Sequence, residues 1–193
     1  MEWQYITPII LIILSFVVII ILYKDRKPMN KQLQQFQIFI VRPTLEHLGE
    51  KFTGLAAERL ILGTMLQESR GKFIDQITGK DDTTFGPAVG YFQMEKATHD
   101  GIWSNYLDFR KDLAFRVRNL MAPTPTPFEQ LASNLRYAIA MCRLKYWRAK
   151  EPMPDGDDLE ELANYWKDHY NTHKGKGTVG EFYLHAKDIM ELK

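Results

Sequence analysis

The chain has 193 residues, with 25 basic against 24 acidic side chains and a formal net charge of +1. That length holds a membrane segment and one globular domain of ordinary size, and a balance with no basic stripe argues for no nucleic-acid partner. Five His and one Cys, Cys142, exclude a thiolate zinc site and an intramolecular disulfide.

The first element is apolar. From Ile9 to Leu22 only Ser15 is polar, and the stretch from Tyr5 to Tyr23 approaches the roughly 20 residues that cross a bilayer. Trp3, Tyr5 and Tyr23 stand at its ends, where aromatic rings favour the headgroup region. Pro8 falls in the first turn, where a missing N–H costs little. With no basic start and no small-residue cleavage pattern before Lys24, a permanent transmembrane helix over residues 1–23 is predicted rather than a signal peptide. Residues 24–43 follow as a charged linker and an amphipathic helix, and residues 44–193 as one domain.

The rest reads as mainly α, without alternating strand runs. Gln32 to Val41 is apolar at 33, 36, 39 and 40, and Pro43 should end or bend that helix. Leu55 to Glu68 is apolar at 55, 60, 61, 62, 65 and 66, with Gly71 as its stop. Lys72 to Gly86 is a polar loop. Helices are predicted over Glu95–Leu107 and Phe109–Met121, then a stiff connector from Pro123 to Pro127. A long helix covers Phe128–Lys150, burying Cys142 in its apolar face as a structural thiol. Helices over Leu159–His169 and Val179–Leu192 close the chain, the last started by the capping-box pair Thr178 and Glu181.

Three short pieces carry the chemistry: Gln67 to Gly71, Gly86 to Met94, and His169 to Thr172. Glu68 ends an apolar helix, where unpaired carbonyls and desolvation both disfavour its charge and hold a proton near neutral pH. A general acid needs that property, although a lone helix-end Glu is more often merely solvated. Gly86 and Gly90 allow close backbone approach to a ligand, and the Gln93 amide offers both a donor and an acceptor.

In this order the pieces resemble the soluble-lytic-transglycosylase domains, a family related in fold to goose-type lysozymes. Glu68-Ser69 match its Glu-Ser helix end, and Gly90-Tyr91-Phe92-Gln93-Met94 match its glycine–glutamine turn. Tyr170-Asn171 match its late Tyr-Asn pair. The resemblance covers roughly Leu45 to Asn171 and is strongest to phage-encoded domains. Tyr91-Phe92 replace the usual Leu-Met, His169 replaces Ala, and no Ala-Gly follows Asn171.

The resemblance implies a lysozyme-like helical domain with a short β-like turn region, acting on peptidoglycan without a cofactor or metal. Glu68 would protonate the bond between N-acetylmuramic acid and N-acetylglucosamine. It would then act as base while the muramoyl 6-hydroxyl closes a 1,6-anhydro ring. Tyr170 would hydrogen-bond Glu68, and Ser69 and Gln93 would position the carboxyl or the sugar. Tyr91 would stack on the glycan, with Gly90, Met94 and Asn171 completing the substrate site. Asp75, Asp81 or Asp82 activating water would instead give a hydrolytic, goose-type product.

A non-catalytic, membrane-anchored virion protein that binds peptidoglycan is the rival from another class. Lys24, Arg26, Lys27 and Lys31 after the span would keep the domain cytoplasmic by the positive-inside rule, whereas a wall-cutting domain belongs on the other side. Either the chain is an exception to the rule, or its membrane is one whose sides are not those of a resting cell, such as a virion membrane; the host envelope is the other expected location. Expected partners are glycan strands, the lipid around residues 5–23 and other virion membrane proteins. His169 and His173 lack the Glu of a zinc-protease motif, and Trp103, Trp147 and Trp166 read as core. Arg110, Lys111, Arg116 and Arg118 read as a solvated face, with acidic stem peptides or anionic headgroups as alternative contacts.

Overall fold

A computed structural model describes residues 31–72, 74–77, 85–171 and 175–192. The expected membrane segment, residues 1–23, lies outside them. Among the described residues no helix is long and apolar enough to cross a membrane.

The described chain is mainly helical, as its apolar spacing predicts. Helical residues 31–36 pass through a π-turn, Gln37–Val41, into α1, Arg42–Leu48. Pro43 therefore neither ends the helix nor stops its packing. The widened turn just before it, with the Arg42 N–H bonded five residues back to Gln37, makes room for a ring that would clash in a regular helix. Leu33 and Val41 share one core with Leu45 and Leu48, so the boundary drawn at 43/44 falls inside a continuous helical segment.

Helix α2, Leu55–Ser69, runs through the centre. Gly63 in its middle lets α8, Val179–Ala186, approach: a Cβ there would stand 2.4 Å from the Phe182 ring. Buried Glu58 on α2 accepts from Gln37 at 2.7 Å and from both nitrogens of the Arg42 fork at 2.8 and 2.9 Å, tying the first segment down. Buried Arg59 reaches the Gly156 and Leu192 carbonyls and so fastens the chain's end to the same helix.

The region predicted as a loop contains strands. β1, Asp75–Ile77, pairs antiparallel with β2, Phe85–Val89, which pairs antiparallel with β3, Met94–Glu95. Two to five residues holding Gly86 and Pro87 are too short to display alternation. α3, Lys96–Asn105, leads through a 3₁₀ turn, Leu107–Phe109, into α4, Lys111–Arg118.

The long predicted helix is two. α5, Gln130–Ser133, stops at Asn134, which leaves helical geometry and caps α6, Leu135–Trp147, by accepting from the Tyr137 N–H. Gln130 bonds both backbone groups of Ala122 and holds the proline connector against α5. α7, Leu159–Trp166, ends in a π-turn, Lys167–Asn171, instead of running on as α-helix. α8 begins with the expected Thr178–Glu181 capping box and passes into a 3₁₀ turn, Lys187–Glu191.

Candidate active site

Glu68 is the penultimate residue of α2, and its half-buried carboxyl opens into a cavity of about 250 Å³. The distant pieces of sequence converge there: Gln93 from the turn between β2 and β3, and Tyr170 with Asn171 from the π-turn after α7. Glu95, Thr98 and Lys145 complete the polar wall. Burial lifts the Glu68 pKa from its ordinary 4.5 to about 7. The Trp166 indole and the Lys145 ammonium favour the charged form and offset only part of that. A carboxyl in this state holds its proton near neutral pH and gives it up easily, which suits a group that must act as acid and then base.

The expected hydrogen bond from Tyr170 to Glu68 is not formed. The buried Tyr170 hydroxyl donates its one proton to the Phe92 carbonyl at 2.8 Å. Trp166 takes the expected role, its Nε1–H donating to Glu68 Oε1 at 2.9 Å. The ring of Trp166 is core, as its place in an amphipathic helix predicts, but a buried indole N–H needs an acceptor. Its position one turn before Tyr170 was the available signal. Gly177 seats that ring: a Cβ there would stand 2.8 Å from Trp166 Cη2.

Lys145 was also missed by the sequence. Its ammonium donates to the Tyr170 carbonyl at 2.6 Å and lies 3.7 Å from that residue's ring centroid. Burial lowers its pKa, while Cys142, Glu68 and Glu95 act to raise it. Asn171 accepts from Lys167 at 2.8 Å, and Lys167 also reaches the Gly175 and Gly177 carbonyls, locking the π-turn to that loop. The Gln93 backbone has a positive φ of 45°, and its Nε2 donates to the Gly90 carbonyl at 2.8 Å, which fixes the side chain at the cavity wall.

Four other expected site residues do not line the Glu68 cavity. Ser69 is buried, its hydroxyl bonding the Tyr91 carbonyl at 2.8 Å and the Met65 carbonyl at 3.1 Å, so it ties the turn to α2. Gly90 is required by its own chain: with φ at 79°, a Cβ would stand 2.2 Å from the Leu131 carbonyl oxygen. Met94 is buried in the core. The Tyr91 ring lines a different hollow, beside Leu33, Phe36 and Arg70. The Asp75 side chain is not among those described, and Asp81, Asp82 and His173 lie outside the described residues. Among the described residues no three His, Cys, Asp or Glu side chains are grouped to hold a metal ion. Cys142 is buried, and burial pushes its thiol well up.

Comparison of the chain with protein-family models, with curated proteins and with solved structures finds no match.

Proposed function

We propose that the chain is a membrane-anchored lytic transglycosylase of lysozyme-like fold that cuts peptidoglycan glycan strands. The observation that carries this reading is Glu68: a proton-holding carboxyl at about 7, fixed by an indole N–H, on a polar cavity shared with Gln93 and Asn171. Glu68 protonates the oxygen linking N-acetylmuramic acid to N-acetylglucosamine as the bond to the anomeric carbon breaks. The resulting carboxylate takes the proton of the muramoyl 6-hydroxyl while that oxygen bonds the anomeric carbon. No water enters, and no second carboxylate is needed. The resemblance to phage-type domains and the apolar segment 5–23 support use from a virion membrane or the host envelope, in genome delivery or lysis.

One observation favours a second reading. Glu95 borders the same cavity, and activation of water calls for a second carboxylate beside the acid. Hydrolysis would then leave reducing ends instead of anhydro ends.

The test is a zymogram on purified wall with the parent beside Glu68→Gln. The parent is expected to clear, and the variant to lose about 10²–10⁴-fold of that activity. Equal clearing, or clearing by neither, overturns the catalytic reading and leaves glycan binding. Mass analysis of released muropeptides separates the two products, and under the hydrolytic reading Glu95→Gln abolishes release.

A further inference from the structure

We infer that the exposed face of α4, with the 3₁₀ turn before it, is a docking surface for an anionic phospholipid bilayer. The inference does not depend on the chemistry at Glu68. Residues 107–118 carry Arg110, Lys111, Arg116 and Arg118 against two acids, Asp108 and Asp112, in a chain whose formal net charge is only +1. Helical spacing puts Lys111, Phe115 and Arg118 along one line of α4, with Ala114 and Val117 turned into the core. Phe109 and Phe115 are 77% and 64% exposed on this cationic face.

The cations converge on a concavity. Phe109, Arg110, Lys111 and Arg116 line a hollow of about 520 Å³ closed by Leu48 and Lys51. Among the described residues, no ion pair joins these four cations or Arg118 to a carboxylate. Arg116 donates to the Leu48 carbonyl, and Arg110 to that of Tyr106 while lying 3.8 Å over its ring. Lys51 faces the rings of Phe52 and Trp147. Three of these cations are thus oriented by neutral partners, and with Arg118 the five cations outnumber the two acids of this surface, Asp108 and the Asp112 that also lines the hollow. Such a set attracts phosphates, and the two bare rings favour a partner with an apolar layer just beneath its phosphates. A soluble polyanion would leave that apolar surface largely wet.

The same chain carries the apolar run Ile9–Leu22, and this step rests on the proposed reading of that run as a membrane anchor, which would keep a bilayer close. The helical segment described from residue 31 onward ends at Leu48, on the hollow itself. Its 18 residues span roughly 27 Å. Attachment at both ends would lay this segment along the bilayer and stop the domain swinging on its tether.

Hydrogen exchange of the full chain in nanodiscs of phosphatidylcholine, with or without phosphatidylglycerol, tests this. Amides of residues 107–118 are expected to exchange at least about five-fold more slowly with the anionic lipid, the effect fading at high salt. Lys111→Glu and Phe109→Ser, both at exposed positions, should each weaken that protection without altering exchange in the core. Equal exchange in the two discs overturns the proposal. Stronger protection by single-stranded DNA than by the anionic lipid also overturns it, since the face would then recognise a polyanion and not a membrane.

Discussion

Two polar clusters lie on either side of α3, and they treat their protons differently. Thr98 faces the Glu68 cavity, whereas His99, Asp100 and Trp103 border a hollow of about 700 Å³, far larger than the 250 Å³ at Glu68. In the larger site the network is closed. The Trp103 indole donates to the Tyr137 hydroxyl at 2.9 Å, that hydroxyl meets His99 Nε2 at 2.7 Å, and His99 Nδ1 meets Asp100 at 2.8 Å. An indole can only donate, so a neutral His99 with its proton toward Asp100 leaves the Tyr137 O–H to donate to Nε2. Burial lowers the His99 pKa and pushes Tyr137 up to about 12, so neither proton is offered near neutral pH. At Glu68, one indole N–H bonds a carboxyl whose pKa sits at about 7. Volume marks the first site; an exchangeable proton marks the second.

The largest effect expected from that contrast is on stability. Folded Glu68 keeps its proton up to about pH 7, while the unfolded chain releases it near 4.5. The native state thus binds more protons across that window, and stability falls as pH rises through it, by up to about 3 kcal/mol. Glu68→Gln should match the parent near pH 4 and exceed it by about 3 kcal/mol near pH 8 in chemical denaturation, while losing the proposed wall cutting. A parent whose stability is flat across this range would show that the carboxyl is not held neutral.

How much of this the sequence disclosed depends on the distance over which each feature is decided. The apolar spacing of Leu55 to Leu66 and the capping pair Thr178–Glu181 are local, and both yield the right helix. Glu68, Gln93 and Tyr170 could be singled out because each stands in a short ordered motif. Their partners could not, because a hydroxyl or an indole chooses its acceptor only when distant segments meet. Hence the Ser69 hydroxyl goes to the Tyr91 carbonyl, the Tyr170 hydroxyl to Phe92, and Trp166 to Glu68 across 98 positions. The π-turns at Gln37–Val41 and Lys167–Asn171 were invisible for a related reason: one extra residue per turn barely alters apolar periodicity. Asn134 was legible in principle, as a capping residue inside a run that apolar spacing alone joined together.

The closed network offers the next test. Tyr137→Phe removes the oxygen that serves both Trp103 and His99, leaving a buried donor and a ring nitrogen unpaired at a cost of about 2 kcal/mol. A lowered midpoint in urea is expected, with wall cutting unchanged under conditions where the variant is folded. Loss of cutting at unchanged stability would mean that the His99 cluster takes part in the chemistry, and the contrast between the two sites would fail.

The smallest effect is also the most selective. Trp166→Phe keeps an aromatic ring against Phe182, 5.2 Å away, and removes the N–H given to Glu68 together with part of the buried indole. That bond favours the carboxylate, as does the charge of Lys145. Without it the neutral acid persists to higher pH, so the alkaline limb of the activity profile should move up by about one pH unit. Lys145→Met should move it in the same direction. The carboxyl carbon signal of Glu68, followed by NMR across pH, reads the shift even in a protein that cuts nothing. A limb that moves while this signal stays fixed would assign the titration to another group. If neither moves, the indole fixes the position of the carboxyl without tuning its charge.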